Sequence, residues 1–500
     1  MTTGMPGSRG VLVPDVSEEA SKVTGDVSAL MPASLKRKQK PDLPELAQPQ
    51  VLRHFLRLSQ ETIGQDLNVD IGLGTCTMKY SPKINEQFVR SHKFTEMHPY
   101  QDDETSQGVL KLIYDFEQIM KEISGLDAVS FQPGGGGQGI YANAAVLKQY
   151  FRDRGEENQR TQIITTILSH PIDSAAPATK GFEVISLYPE ANGYPSIEAL
   201  KAAVSEKTAG IFITNPEDTG VFNPIIREFV DVVHEAGGLC VCDMADYNGL
   251  FGIVRAKELG ADLCHFNLHK AFSSPHGCMG PGCAAQCVSA ELEKYLPRPR
   301  VRFDGKKYYT DYDGEYSIGK VRQFHGSLAA VLRAYAWIMS LGKDGLKTVA
   351  ETAILNNNYM MKRMLTEVKG VSMSWAEEAP HRLEQVRYSF EKLYKDTGVS
   401  AEDVNRHLLD FGFQRFFASH HPLIVPEPFT PEPTESYSKA DIDEYVDALV
   451  QISNEAYTTP EVVLNAPYAG PISKLENDHI KDWRELCVTW RAYKKQNGLA

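Results

Sequence analysis

Asp243 and Lys270 stand at the ends of two short apolar runs, LCVCDMA and ADLCHFNL, which read as buried strands joined by a helical turn. A lysine at a strand end can condense with an aldehyde. A carboxylate at the neighbouring strand end can hold the proton of a pyridine nitrogen, and a pyridoxal phosphate enzyme needs both groups together. The same spacing suits a helix-capping Asp and a surface Lys, so the surrounding elements have to decide between the two.

Those elements alternate. AVSFQ (128–132), TQIITTIL (161–168), GFEVISLYP, AGIFITN (209–215) and the two runs above read as strands. Between them SIEALKAAVSE and residues 224–236 read as helices, the latter with Asn223 as N-cap, Pro224 at its first position and Gly237 just past its end. Apolar strands alternating with amphipathic helices predict an α/β fold with a mostly parallel sheet covered on both faces. Ligands of such sheets sit beyond the carboxyl ends of the strands. Gly134–Gly137, His170, Asn215, Asp243 and Lys270 all fall at or just after those ends. The turn PGGGGQG, feeding a helix from about Ile140, has the unpaired N–H groups that hold a phosphate, and would serve equally as a flexible turn.

Upstream, apolar residues at 51, 55, 56 and 58 predict a helix over 50–61, and Val109 to Ile123 predict another that ends at Gly125. The loop GLGTCTMKYSPKINE between them carries Cys76 and Lys79. Beyond about 330 the texture turns helical. QVRYSF, FQRFFAS and HPLIVPEP are candidates for a small sheet, and helices at 400–412 and 438–457 begin at serines. The expected division is an N-terminal arm and helix (1–90), a large domain (91–335) and a smaller α+β C-terminal domain with a tail (336–500).

The 500 residues carry a net charge of -13, which argues against nucleic acid as a partner. No run is long and apolar enough for a membrane helix, and MTTGMPGSRG lacks the apolar core of a signal peptide, so a soluble cytoplasmic protein is expected. The eight cysteines fit reduced thiols buried in strands, and the trio 278, 283 and 287 lacks a CxxC pair, so no metal site is expected.

With these residues in view, the chain resembles the glycine decarboxylase P-protein, in its second subunit where that protein is split in two. The resemblance rests on LGTCTMKYSPKINE, HPYQDDETSQG, FQPGGGGQG, FITNP, NLHKAFSSPHG, SIGKVRQF, LIVPE and EPTES, in that order. It implies the aspartate aminotransferase fold (fold type I), pyridoxal 5'-phosphate as cofactor, and a homodimer or larger oligomer with shared active sites. Carried onto this chain, it implies Lys270 as the Schiff-base lysine, Asp243 as the partner of the pyridine nitrogen, and His170 stacked on the ring. Gly136 and Gly137 would hold the phosphate, and Ala245 and His269 would line the cofactor. Asn215 would donate to the phenolic oxygen or serve as a turn residue before Pro216, and Cys76, Lys79, His276, Cys278 and Met279 are candidates for the substrate pocket.

Departures from the family pattern cluster at the same place. HGTNP is His170-Pro171-Ile172-Asp173-Ser174 here, PHGGGGPG carries Cys278 and Met279, the acid after QG is Ile140, and the threonine after the lysine is Ala271. Side chains in a glycine loop change the space beside a ligand. The expectation is a lyase or transferase that makes a carbanion next to an amino group, with an altered substrate pocket and a specialised biosynthetic reaction. Glycine decarboxylation with a lipoyl carrier protein and a subunit 1 partner is one alternative. Elimination or replacement with carbon–carbon bond formation on a larger, for example sulfonium-bearing, amino acid is a second, and a catalytically silent scaffold is a third.

Overall fold

The computed structural model describes residues 17–39, 43, 45–61, 69–76, 79–275, 280–420, 424–470, 489–496 and 498. Residues 1–64 and 469–500 make one compact unit and residues 65–468 another. In the first unit the helices are Glu18–Thr24, Gln48–Glu61 and Trp490–Gln496, and Ser17 caps Glu18–Thr24 by accepting from the Ala20 N–H.

The larger unit is built on a seven-stranded sheet. Its strands are β1 (Ala128–Ser130), β2 (Gln162–Thr166), β3 (Glu183–Leu187), β4 (Thr208–Thr214), β5 (Leu239–Met244), β6 (Leu263–Asn267) and β7 (Ala284–Val288), in the order β1-β7-β6-β5-β4-β2-β3. The neighbours from β3 through β6 pair in parallel, and β7 runs antiparallel to both β6 and β1. Along β4, Ile211 and Ile213 enter the core on one face with Phe116, Met244 and Phe266, while Phe212 joins Val146, Leu147 and Val241 on the other. Burial on both faces explains the near-continuous apolar runs in the sequence.

Helix Gln107–Ser124 buries Leu110, Ile113, Phe116 and Met120 at helical spacing and stops at Gly125, whose φ of 73° is the left-handed turn expected there. Two helix starts differ from expectation. The helix after β1 begins at Gly136, not near Ile140, and runs to Asp153. Its first turn, Gly136-Gly137-Gln138-Gly139, lies close over β6, where a Cβ on Gly139 would come within 2.7 Å of the His265 ring. The helix after β4 begins at Ile226, without a side-chain cap, because Asn223 is used elsewhere: its N–H donates to Asn215 and its side chain accepts from Ile225.

A helical stretch from Leu328 to Glu367, broken at Gly342, leads into the C-terminal part. There Met360, Tyr388, Phe390, Phe416, Phe429 and Tyr445 form a separate core. Its small sheet pairs β10 (Ser372–Met373), β11 (Tyr388–Ser389) and β12 (Pro428–Phe429), preceded by a hairpin of β8 (Arg300–Phe303) and β9 (Tyr308–Asp311). The expected strand at 413–419 does not form. Phe417 takes single backbone bonds from Thr430 and to Gly72, too few for a ladder, and Phe413 and Phe416 pack inward. The helices at Ala401–His407 and Lys439–Thr458 both start at the anticipated N-caps Ser400 and Ser438, and in each the third helical residue, Asp403 or Asp441, completes a capping box. Cys240, Cys242, Cys264, Cys283 and Cys287 are buried free thiols, whereas Cys76 is exposed on its loop. Among the described residues no helix is long and apolar enough to cross a membrane.

Candidate active site

The carboxyl edge of the sheet gathers Asp243 from the end of β5, Lys270 from just past β6, His170 from the turn after β2 and Asn215 from the end of β4. Asp243 is buried, accepts the Ala245 N–H at 2.8 Å and has His265 Nε2 3.3 Å from the same oxygen. That approach is off the line of a hydrogen bond, and burial keeps His265 below its ordinary pKa. The result is a buried carboxylate held at one oxygen by a backbone N–H.

Lys270 is buried and donates to the Thr75 carbonyl, which reaches it on the loop 69–76. Burial opposes its charge, but the acidic groups of Cys76, Asp246, Asp243 and Glu432 outweigh that and raise its pKa. His170 accepts the Ile172 N–H on Nδ1 at 3.1 Å, so its proton sits on Nε2. Burial pulls it down to about 4 against the opposite pull of Asp243 and Asp218. It is a neutral flat ring at pH 7, at the same carboxyl edge of the sheet as Asp243 and Lys270.

The glycine turn forms a second corner. A cavity of about 640 Å³ is lined by Gly134, Gly135, Gly137, Gln138, Gly282 and Arg322. A Cβ on Gly134 would lie 2.4 Å from Arg322 Nη1, and one on Gly136 would lie 3.0 Å from Asn267 Nδ2. The N-terminus of helix Gly136–Asp153, a guanidinium and side-chain-free backbone make a cradle for an anion. His269 packs beside it, with Nδ1 accepting the Cys283 N–H at 3.2 Å.

Other expected residues take different positions. Asn215 spends its amide on the Asn223 backbone, accepting at 2.8 Å and donating at 3.3 Å. Lys79 is buried and held 3.0 Å from Glu435 Oε1 and 4.7 Å over the Trp337 ring. Cys76 is exposed close to Lys270. His276, Cys278 and Met279 lie outside the described residues.

Sequence reasoning missed several members of the site. Arg322 sits in SIGKVRQF, where a cation beside a glycine turn was a usable signal. His265 is one residue-pair ahead of Asn267 on the same strand face and gave none. Asp246, Glu384 and Glu432 surround Lys270, the first and last bridged by Asn248 Nδ2 at 2.8 Å to each. Burial raises Glu384 to about 8, helped by Asp246, and raises Glu432 well above the carboxylate range.

A parallel sheet with this strand order and a lysine beyond β6 is the fold of the type I pyridoxal phosphate enzymes, the aspartate aminotransferase class. A glycine decarboxylase P-protein in inhibitor-bound form superposes with a TM-score of 0.71 at 19% identity, covering 88% of this chain and all of that one. The cysteine desulfurase CsdA from Escherichia coli superposes at 0.58 with 13% identity, over 79% of this chain and 97% of that one. Residues 22–302 match the family Glycine cleavage system P-protein, and 349–466 match Glycine dehydrogenase, C-terminal domain. The chain is 41% identical over 492 residues to a probable glycine dehydrogenase (decarboxylating) subunit 2 of Pyrococcus furiosus, covering 98% of this chain and 95% of that relative. It therefore belongs to the glycine dehydrogenase (decarboxylating) subunit 2 family. The cofactor of that family is pyridoxal 5'-phosphate.

Proposed function

We propose that this chain binds pyridoxal 5'-phosphate with Lys270, Asp243, His170 and the Gly134–Gly137 turn, and acts at the carbon next to the amino group of an amino acid, in the manner of glycine decarboxylase subunit 2. The observation that carries this reading is that Asp243, Lys270 and His170 stand on one sheet edge together with a glycine turn where a Cβ on Gly134 would lie 2.4 Å from Arg322 and one on Gly136 3.0 Å from Asn267. When bound, the cofactor supplies an aldehyde for the amino group and a ring that accepts electrons from the neighbouring carbon.

The chain's own residues do the rest. Asp243, fixed by the Ala245 N–H, holds a proton on a ring nitrogen. Neutral His170 offers a flat face without competing for that proton. Arg322 and the helix N-terminus hold the phosphate. Lys270 Nζ, steadied by the Thr75 carbonyl, would be the nitrogen that holds the cofactor and would take or return the substrate's proton. His269 and Ala245 complete the wall, and a subunit 1 partner and a carrier protein would complete the glycine reaction.

A second reading has its own support. Of the acidic groups beside Lys270, burial holds Glu384 and Glu432 in the protonated form, and a substrate with a positive charge on its side chain, such as a sulfonium, would be the ligand that favours their ionised forms. Adding glycine and a series of larger and cationic amino acids to the protein with pyridoxal phosphate, while following visible absorbance and release of labelled carbon dioxide, separates the two. A protein that stays colourless with excess cofactor would refute the enzymatic reading altogether.

A further inference from the structure

A second buried carboxyl stands behind Asp243, and the roles proposed so far leave it unused. Asp173 lies in the first turn of the helix Ile172–Thr179, shortly after His170, and is fully buried. Its Oδ2 accepts a hydrogen bond from Thr214 Oγ1 at 3.0 Å, and its Oδ1 has no partner among the described residues. Thr214 is the last residue of β4 and pairs in register with Asp243 on β5, which in turn pairs with His265 on β6. Register partners on adjacent parallel strands point to the same face and stand about 5 Å apart. The residues two places earlier on these strands, Phe212, Val241 and Leu263, share one core with Ala176 of the same helix, which fixes the face. Asp243 therefore has His265 on one side and, on the other, the hydroxyl that holds Asp173.

The surroundings decide the charge of this group. The first turn of a helix favours an anion, but a carboxylate taken fully out of water needs more than one hydroxyl to offset its lost hydration. The titratable groups facing Asp173 are Asp243 and Cys242 on β5 and Asp218 on the loop after β4, none of them a cation. His170, whose carbonyl accepts the Asp173 N–H at 2.8 Å, carries a neutral ring. The helix Gly136–Asp153, packed alongside, turns Lys148 to the Lys180 carbonyl, past the far end of the helix that carries Asp173. On β2 and β3 the charged side chain is Glu183, exposed and bonded to Gln162. Burial pushes the Asp173 carboxyl well above the carboxylate range, and the charge of Asp243 pushes it further, against the Thr214 hydrogen bond. The pattern HGTNP has a neutral asparagine at this place, whereas Asp173 can ionise.

We propose that Asp173 is a positioning residue for the ring nitrogen: it holds its own proton at neutral pH, so that Asp243 meets the ring N–H as a single buried charge, and gives that proton up only in the alkaline range. This rests on the reading of Asp243 as the group that faces the ring nitrogen. The two sites are then linked. A protonated ring beside Asp243 offsets the negative charge that keeps the proton on Asp173, and loss of that proton in turn tightens the hold on the ring.

Two measurements test it. In the first, the unmodified full chain, free of cofactor, is compared at pH 7 with Asp173→Asn by infrared difference spectroscopy. The expected difference is the C=O stretch of an un-ionised carboxyl, present in the wild type and absent from the variant; the paired stretches of a carboxylate in its place overturn the proposal. Thr214→Val keeps the shape and removes the donor, so the same band should move to higher wavenumber. That comparison stands even if Asp173→Asn fails to fold, and a band that does not move overturns the link from Asp173 to the strand row. In the second, the wild-type band is titrated with and without pyridoxal phosphate, and cofactor affinity is measured for the wild type and Asp173→Asn over the same pH range. The cofactor should bring the titration down by about one pH unit, and the wild-type affinity should rise about tenfold relative to the variant across it. An unmoved titration or a constant affinity ratio overturns the role toward the ring, whereas a wild type that shows the infrared band and takes up no cofactor overturns the reading beneath it.

Discussion

Gly139→Ala tests the seating of the first helix on the sheet. A methyl at 139 would lie 2.7 Å from His265 Cδ2 and 2.8 Å from Cγ, and the ring is fully buried against β5 with Asp243 at 3.3 Å. The ring has no room to retreat, so helix or histidine must shift. Overpacking of this kind costs about 1–3 kcal/mol. Alanine in place of glycine inside a helix returns about 1 kcal/mol. The net expectation is destabilisation by about 0–2 kcal/mol in urea unfolding, together with weaker uptake of pyridoxal phosphate, because the displaced ring sits against the carboxylate proposed to face the ring nitrogen. The deciding comparison is a double-mutant cycle with His265→Ala. Once the ring is gone the methyl at 139 fills space, so Gly139→Ala should become neutral or stabilising, with a coupling of about 1–3 kcal/mol. If the cost of Gly139→Ala were the same in both backgrounds, the contact with His265 would not be its cause and the account of the glycine turn would fail.

Three further outcomes are expected. His170→Asn should reveal an acid-sensitive term. A histidine whose folded pKa is depressed to about 4 contributes stability that is intact above its ordinary value near 6.5 and lost as pH falls toward 4, so the wild type should lose up to about 3 kcal/mol relative to the variant across that window in urea melts at stepped pH. Glu384→Gln should show the opposite trend. The buried acid is raised to about 8, so its contribution falls as pH climbs from its ordinary range to 8, and the variant should gain on the wild type by as much as about 1.4 kcal/mol per pH unit there. Arg387→Met should be among the most damaging single changes, at about 3–5 kcal/mol by denaturant unfolding, because it leaves the buried Asp218 without its cation and strips Thr430 and Ser419 of a donor; an intact midpoint would show that Asp218 is not held as described.

The sequence by itself determined the large sheet and the two strand-end residues on which the proposed site is centred. Short apolar runs rich in β-branched residues and bounded by turn residues read as buried strands, glycines such as Gly125 end helices by left-handed turns, and a buried Asp and Lys at neighbouring strand ends need partners. These are local properties, readable within a dozen residues. Longer motifs added the family, from 22 to 302 and from 349 to 466. Tertiary structure alone decided which distant groups meet. Thr75 reaches Lys270 across 195 positions, Asn248 meets Glu432 across 184, and His420 meets Asp218 across 202. No periodicity marks such residues, because each faces a partner on another element and not the next turn of its own. The misplaced helix start near Asn223 has the same origin, since the Asn223 backbone N–H and carbonyl are paired with the Asn215 amide from the neighbouring loop end, while its side chain accepts from Ile225.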